Sequence, residues 1–343
     1  MNSEDNVYSN MVKPIIFGMS GLALTTEEKV FFQQHKITSF ILFKRNIEST
    51  EQLIQLTEDL KKLHPYLKVT ILIDQEGGRV ARIKPPIIDR EYPPMSFFSE
   101  MFDNEGEEQA TLEIYKNFSE LTLMLRSFGI DSGCSPVADL YYSYTHQVIG
   151  DRSFGLEVDK VVKSCLIATK AIQENGGIAI MKHIPGHGRA KSDSHLTLPR
   201  VDASFEELNS TDFAVFRQLS NNYDLKYAMT AHIIFDAIDP ELPITFSKKA
   251  IDFIRKDIGF KGIIVTDDIC MHALHVNDFN SSSLNDVDVD SEEFVSSIGR
   301  ATKKSLAAGC DIILHCSGKM SEMKKVVQVV EEFLILNNKD NII

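Results

Sequence analysis

The stretch from Lys182 to His195 reads Lys-His-Ile-Pro-Gly-His-Gly-Arg-Ala-Lys-Ser-Asp-Ser-His and holds three histidines, three other cations and one carboxylate in fourteen residues. The apolar run Ile178-Ala179-Ile180-Met181 comes directly before it, which predicts a buried strand ending where the polar residues begin. Pro185 and Gly186 forbid a helix there, so the polar residues are expected on a loop at the strand's C-terminal mouth.

Two chemistries fit these residues. His183 and His187 have the i, i+4 spacing of paired metal ligands, but that spacing needs a helix, and Pro185-Gly186 removes it. In the other reading Asp193 and His195 form an acid/base pair: the carboxylate accepts from one ring nitrogen and sets the tautomer and basicity of the other. An imidazole titrates near 6.5 in water, so it can give up and regain a proton near neutral pH. The density of the stretch argues against a surface loop with incidental histidines.

The elements that must hold this loop alternate along the chain. Short apolar runs (14–17, 39–43, 69–73, 133–140, 178–181, 227–231, 262–265 and 311–314) are separated by longer amphipathic segments, a pattern of parallel strand-helix units. Thr25 with Glu28, and Ser49 with Gln52, carry capping-box signatures for the first two helices. Helices are also expected over about 107–128, 158–174 and 320–336. The long segment through Pro85, Pro86, Pro93 and Pro94 reads as a loop. Eight strand signals predict an α/β fold, a (β/α)8 TIM-type barrel built as one catalytic domain over residues 1–343. Residues 1–12 read as a polar N-terminal extension and 275–293 as an acidic, polar insertion.

Asp74, Asp139, Lys182, His232 and Asp267 each follow an apolar run, which predicts that they converge at the barrel mouth. The run Asp74-Gln75-Glu76-Gly77-Gly78-Arg79-Val80-Ala81-Arg82 is a second site stretch, its paired glycines allowing a tight turn. Asp267 and Asp268 are adjacent, and neighbouring side chains on extended backbone point opposite ways, so one is expected to face substrate and the other to be tied up in hydrogen bonds. A carboxylate on one strand end and an oriented imidazole on another loop suit displacement at an acetal carbon.

Composition narrows the partners. The formal net charge is -13 and no basic cluster of the kind nucleic acid requires is present, so nucleic acid is not an expected partner. No run reaches membrane-spanning length, and Ile15 to Leu24 lacks the flanks of a signal peptide. The five cysteines, without metal-type spacing, read as reduced core thiols of a cytoplasmic protein.

The chain resembles the glycoside hydrolase family 3 β-N-acetylhexosaminidases of the NagZ type. The resemblance rests on Ile73 to Arg82, Ile149 to Phe154, Lys182 to His195, Thr230 to His232 and Thr266 to Asp268, in family order over nearly the whole chain. It implies that Asp267 is the nucleophile of a retaining exo-β-N-acetylglucosaminidase and His195 the acid/base oriented by Asp193. It also implies that Asp74, Arg82, Arg152, Lys182 and His183 grip the sugar, with Asp139, His187, His232 and Asp268 in support. The implied substrate is a peptidoglycan-derived amino sugar in which N-acetylglucosamine is β-linked to anhydro-N-acetylmuramic acid, with or without peptide, cleaved by a cytoplasmic monomer without cofactor or metal. Ile184 stands where phenylalanine is usual, Thr266 where serine is commoner, and His272 where the family has an acidic residue. Rival readings are a family 3 β-glucosidase, a β-N-acetylglucosaminide phosphorylase, a barrel that binds sugar without cleaving it, and a metal-dependent hydrolase using His183, His187 and His195.

Overall fold

The computed structural model describes residues 12–191, 198–222, 225–275, 288–289 and 291–339. The strands are β1 (Ile15–Gly18), β2 (Ser39–Leu42), β3 (Thr70–Ile73), β4 (Gln75–Gly77), β5 (Val80–Ala81), β6 (Ile180–Ile184), β7 (Arg200–Val201), β8 (Tyr227–Thr230), β9 (Ile234–Phe235), β10 (Ile263–Val265) and β11 (Ile313–His315). The helices are α1 (Thr26–Gln34), α2 (Thr50–Lys62), α3 (Met95–Asn104), α4 (Glu107–Ser127), α5 (Val158–Glu174), α6 (Phe205–Ser210), α7 (Asp212–Asn222), α8 (Lys248–Lys256), α9 (Glu292–Ala308) and α10 (Met320–Lys339).

Parallel pairing runs β11-β1-β2-β3 on one side and β6-β8-β10 on the other. Isolated parallel bridges join the halves, Leu72 to Ser132, Val137 to Lys182 and Val265 to Ile312. The ring therefore closes, with an irregular extended segment from Ser132 to Val137 in the fourth of eight positions. This is the (β/α)8 TIM-type barrel of the α/β class that the alternation predicts.

Period-two alternation sorts the strand residues. Ile16, Ile41, Leu72, Cys134, Ile180, Met229, Val265 and Leu314, one from each barrel position, share a central cluster. Their neighbours Ile15 and Phe17 face outward, where Phe17 meets the rings of Phe31 and Phe32 on α1. The same alternation repeated around the ring yields an inner plug and an outer sleeve, and the polar residues that follow each strand gather above the plug.

The Thr25 box is complete: Glu28 N–H donates to Thr25 Oγ1 at 3.1 Å and Thr25 N–H to Glu28 Oε2 at 2.8 Å. The second is half a box. Ser49 Oγ accepts from Gln52 N–H at 3.1 Å, but the Gln52 side chain accepts from Glu48 N–H rather than Ser49.

Several expectations change. The fifth strand does not end at Met181: β6 continues through Lys182, His183 and Ile184, all buried, because both polar side chains find partners inside the barrel mouth. Helix α3 occupies the tail of what reads as a proline-rich loop. The insertion is shorter than 275–293, since Ser291 accepts from Phe294 N–H as the N-cap of α9 and His275 packs against the Phe294 ring. The rest of that insertion, 276–287 and 290, and residues 1–11 of the N-terminal extension lie outside the described residues. The cysteines are free, four of them buried. Among the described residues no helix is long and apolar enough to cross a membrane.

Candidate active site

A cavity of about 320 Å³ opens at the C-terminal end of the barrel, lined among others by Asp74, Glu76, Arg82, Arg152, Lys182, His183, His187, Asp267 and Asp268. The five strand-end sites of the sequence converge: Asp74, Lys182 and Asp267 line this cavity, while Asp139 and His232 are wholly buried behind it.

The hairpin β4-β5 follows Asp74 and folds it back. Gly77 turns at φ +116°, and a Cβ there would lie 2.2 Å from Pro93 O, so only glycine fits. Gln75 clamps the returning strand, accepting from Arg82 and Ile83 N–H at 2.8 and 2.9 Å and donating to Ile83 O at 2.9 Å. Arg82 thus returns beside Asp74, with Nη2 3.0 Å from Asp74 Oδ2.

Glu76, part of the second site stretch but given no role by the sequence, is the hub of the cationic wall. Two positions beyond Asp74, it faces the same side, and that i, i+2 spacing was the available signal. Its carboxylate receives Arg152 Nε and Nη2, each at 2.8 Å, and lies 2.6 Å from Lys182 Nζ. Burial pushes the Glu76 carboxyl up, but Arg152 and Lys182 outweigh it and hold the group well below the ordinary carboxylate range. Lys182 feels the reverse balance: burial disfavours its charge, yet Glu76 and Asp74 raise its pKa above the usual ammonium value. Lys182 Nζ also lies 3.5 Å from Asp74 Oδ1. Both cations are therefore fixed in position, and the cavity's opposed charges come near balance, suiting a neutral, hydroxyl-rich ligand rather than a polyanion.

Consecutive residues Lys182 and His183 both line the cavity, and the register with β8 shifts between Lys182 and Ile184. His183 Nδ1 is 2.6 Å from Asp139 Oδ2. Asp139, fully buried, also accepts from His187 N–H at 2.7 Å and His183 N–H at 3.1 Å. Burial raises the Asp139 carboxyl, but His183 and these donors bring it below its ordinary value. An ionised Asp139 can only accept, so His183 carries hydrogen on Nδ1 and turns Nε2 toward the cavity, 4.0 Å from Asp267 Oδ2. His187 lies behind, its ring 5.3 Å from that of His183. Burial, aided by His183, pushes its pKa down to about 4, so it is neutral at pH 7.

The adjacent aspartates both line the cavity, and they differ in their hydrogen-bond partners rather than in which side they face. Asp268 Oδ1 accepts from Cys270 N–H at 2.9 Å and Cys316 N–H at 3.1 Å, which ties the seventh and eighth strand ends together. Asp267 Oδ1 accepts from Asp268 N–H at 2.8 Å, leaving Oδ2 on the His183 side. His232 is wholly buried, with Nε2 3.1 Å from Asp268 O, and burial lowers its pKa.

Asp193 and His195 lie outside the described residues; the root of their loop does not. Arg189 donates through Nε to Asp212 at 2.7 Å and through Nη1 to Glu207 at 2.6 Å, with its guanidinium 4.3 Å from the Tyr142 ring. Sequence reading missed this anchor, because Asp212 and Glu207 belong to helices carrying no motif. For the metal-dependent reading, His183 is engaged by Asp139, and His195 is not described. Among the described residues the three potential ligands that converge within 4.8 Å are Cys270, His315 and Glu322, none of them from that set.

The model of the glycosyl hydrolase family 3 N terminal domain matches residues 13–340. A β-hexosaminidase of Neisseria gonorrhoeae is 33% identical over 328 residues, 95% of this chain and 83% of that one. One from Nitrosomonas eutropha is 31% identical over 93% of this chain and 85% of its own. Among solved structures, NagZ from Neisseria gonorrhoeae in complex with N-trifluoroacetyl-D-glucosamine superposes with a TM-score of 0.79 at 31% identity, covering 94% of this chain and 85% of that one. A family 3 β-N-acetylglucosaminidase from Paenibacillus gives 0.81 at 25% identity, over 97% of this chain and 58% of that one. The chain belongs to glycosyl hydrolase family 3 and is a glycoside hydrolase of the β-N-acetylhexosaminidase type.

Proposed function

We propose that this barrel acts as a single catalytic domain, a retaining exo-β-N-acetylglucosaminidase working through a covalent glycosyl-enzyme. In the first step Asp267 attacks the anomeric carbon, while His195, oriented by Asp193, protonates the departing glycosidic oxygen. In the second, His195 takes a proton from water, which attacks the same carbon and releases Asp267. Asp74, Arg82, Arg152, Lys182 and His183 hold the sugar hydroxyls and acetamido group. Asp139, His187, His232 and Asp268 hold those groups in place.

One observation carries this reading: Asp267 Oδ2 lies 4.0 Å from His183 Nε2 in a cavity shared with Asp74 and Lys182. This proximity supports a carboxylate that attacks from beside groups able to hold the sugar hydroxyls. The likeness to NagZ complexed with N-trifluoroacetyl-D-glucosamine supports an N-acylated amino sugar in that cavity. The substrate we infer is a cell-wall fragment ending in β-linked N-acetylglucosamine on anhydro-N-acetylmuramic acid, with or without peptide. We further infer that it is met in the cytoplasm during peptidoglycan recycling, by a monomer with water as acceptor.

The test is the configuration of the first-formed N-acetylglucosamine, followed by proton NMR during hydrolysis. Double displacement predicts the β-anomer first, relaxing to the mixture; α-anomer at the earliest times overturns the mechanism.

A further inference from the structure

Thr245 sits on the 3-10 turn Ile244–Phe246 beyond β9, wholly buried and apart from every motif of the site. Its Oγ1 is 2.7 Å from His232 Nδ1 and 2.9 Å from Thr230 Oγ1. Thr230 Oγ1 in turn accepts the N–H of Asp267 at 3.4 Å, and His232 Nε2 reaches the carbonyl of Asp268 at 3.1 Å. Four contacts therefore run in a chain that leaves the backbone at Asp267 N and rejoins it at Asp268 O.

The protons in that chain have one consistent arrangement. A carbonyl only accepts, so His232 carries its hydrogen on Nε2. Burial disfavours the imidazolium, so Nδ1 bears a lone pair. Thr245 must give its single proton to that nitrogen, which outcompetes the longer contact to Ala231 O at 3.4 Å. Thr230 then donates to Thr245 and keeps a lone pair for the Asp267 N–H. Every link points the same way, and such chains strengthen one another. The circuit brackets two residues, Asp267 and Asp268, and Asp267 Oδ1 is further held by Asp268 N–H at 2.8 Å. Thr230, His232 and Thr245 do not line the cavity, so a sugar bound there does not touch them.

We propose that Thr245 is a positioning residue for the reaction, acting through His232 and Thr230 to hold the Asp267–Asp268 backbone in the one setting from which the Asp267 carboxylate attacks. This rests on the assignment of Asp267 as nucleophile. Misplacing a reacting group by about 1 Å costs on the order of a hundredfold in rate, and ground-state sugar contacts are unaffected.

The test compares Thr245→Val, which keeps shape and loses the hydroxyl, with Thr245→Ser, which keeps the hydroxyl. On a nitrophenyl N-acetylglucosaminide, Thr245→Val should lower kcat roughly ten- to a hundredfold with KM within about twofold, and Thr245→Ser should stay within about threefold of wild type. Nitrogen-15 NMR of the wild-type protein should show His232 protonated at Nε2 only, with the Nδ1 resonance displaced in Thr245→Val. A folded Thr245→Val with near-wild-type kcat, an equal loss in Thr245→Ser, or wild-type His232 protonated at Nδ1 overturns the proposal. If the valine variant does not fold, Thr245→Ala and the wild-type nitrogen spectrum decide it. A fluorosugar label on a residue other than Asp267 would instead refute the nucleophile assignment, while the tautomer result would still stand or fall separately.

Discussion

Asp139 and His183 are joined by a 2.6 Å contact between Oδ2 and Nδ1, and this pair decides what the imidazole presents to the cavity. Asp139→Asn keeps the shape but offers one acceptor oxygen where three N–H groups now converge, and its amide can impose the other tautomer on His183. We expect kcat/KM to fall by about a hundredfold, ~2.7 kcal/mol of transition-state stabilisation. Steady-state kinetics on a nitrophenyl N-acetylglucosaminide measures it; a loss below threefold would remove the pair from the mechanism.

Glu76 neutralises two cations at once, so Glu76→Gln leaves Arg152 without its ion-pair partner and Lys182 with only the longer contact to Asp74. Breaking such a network costs roughly 3–5 kcal/mol. Urea unfolding should show a loss of that order together with a raised KM, since both cations lose their fixed positions. A variant within 1 kcal/mol of wild type, on the scale that exposed pairs contribute, would contradict the hub role.

His187 and His232 make stability pH-dependent. Burial, then His183, pushes the His187 pKa down to about 4, and burial lowers that of His232. The unfolded chain titrates these imidazoles near 6.5, so it binds protons that the folded protein refuses. Stability is therefore full above about pH 6.5 and declines as pH falls toward about 4. Below that, protonation of Glu76 and Asp139, whose folded carboxyls titrate low, adds loss of the same sign. The urea midpoint should drop steadily between pH 7 and 4.5, with a shallower slope in His187→Gln. A midpoint flat or rising over that range would refute the neutral, buried assignment.

His195→Ala separates acid catalysis from binding. Loss of a general acid costs about 10²–10⁴-fold on a glycoside whose leaving group needs a proton, and far less on one with an excellent leaving group. We expect the disaccharide substrate to suffer at least about tenfold more than a dinitrophenyl glycoside. Equal losses would take His195 out of the acid role.

Most of the barrel is legible in the sequence because its strands are short apolar runs whose ends carry charge, and Asp74, Asp139, Lys182 and Asp267 betray the mouth by that position. The fourth strand position is harder, since the segment around Ser132 to Val137 makes bridges rather than a ladder. Helix α3 hides behind Pro93-Pro94, a pair that reads as loop although Pro94 is the residue from which the helix starts. Lys182 and His183 look like post-strand residues because polarity ordinarily ends a strand; here Glu76 and Asp139 satisfy them inside it. The role of Glu76 had a local signal in its i, i+2 spacing from Asp74. Those of Arg189 and Thr245 come from partners distant in the chain, which no local spacing encodes.

The proposed mechanism requires Asp267 to bond covalently to the sugar. Incubating the enzyme with a fluorinated N-acetylglucosamine inactivator and mapping the modified peptide by mass spectrometry tests it most directly. One equivalent of label is expected on Asp267, with protection by excess product; label on Asp268, or inactivation without any covalent adduct, would overturn the covalent mechanism.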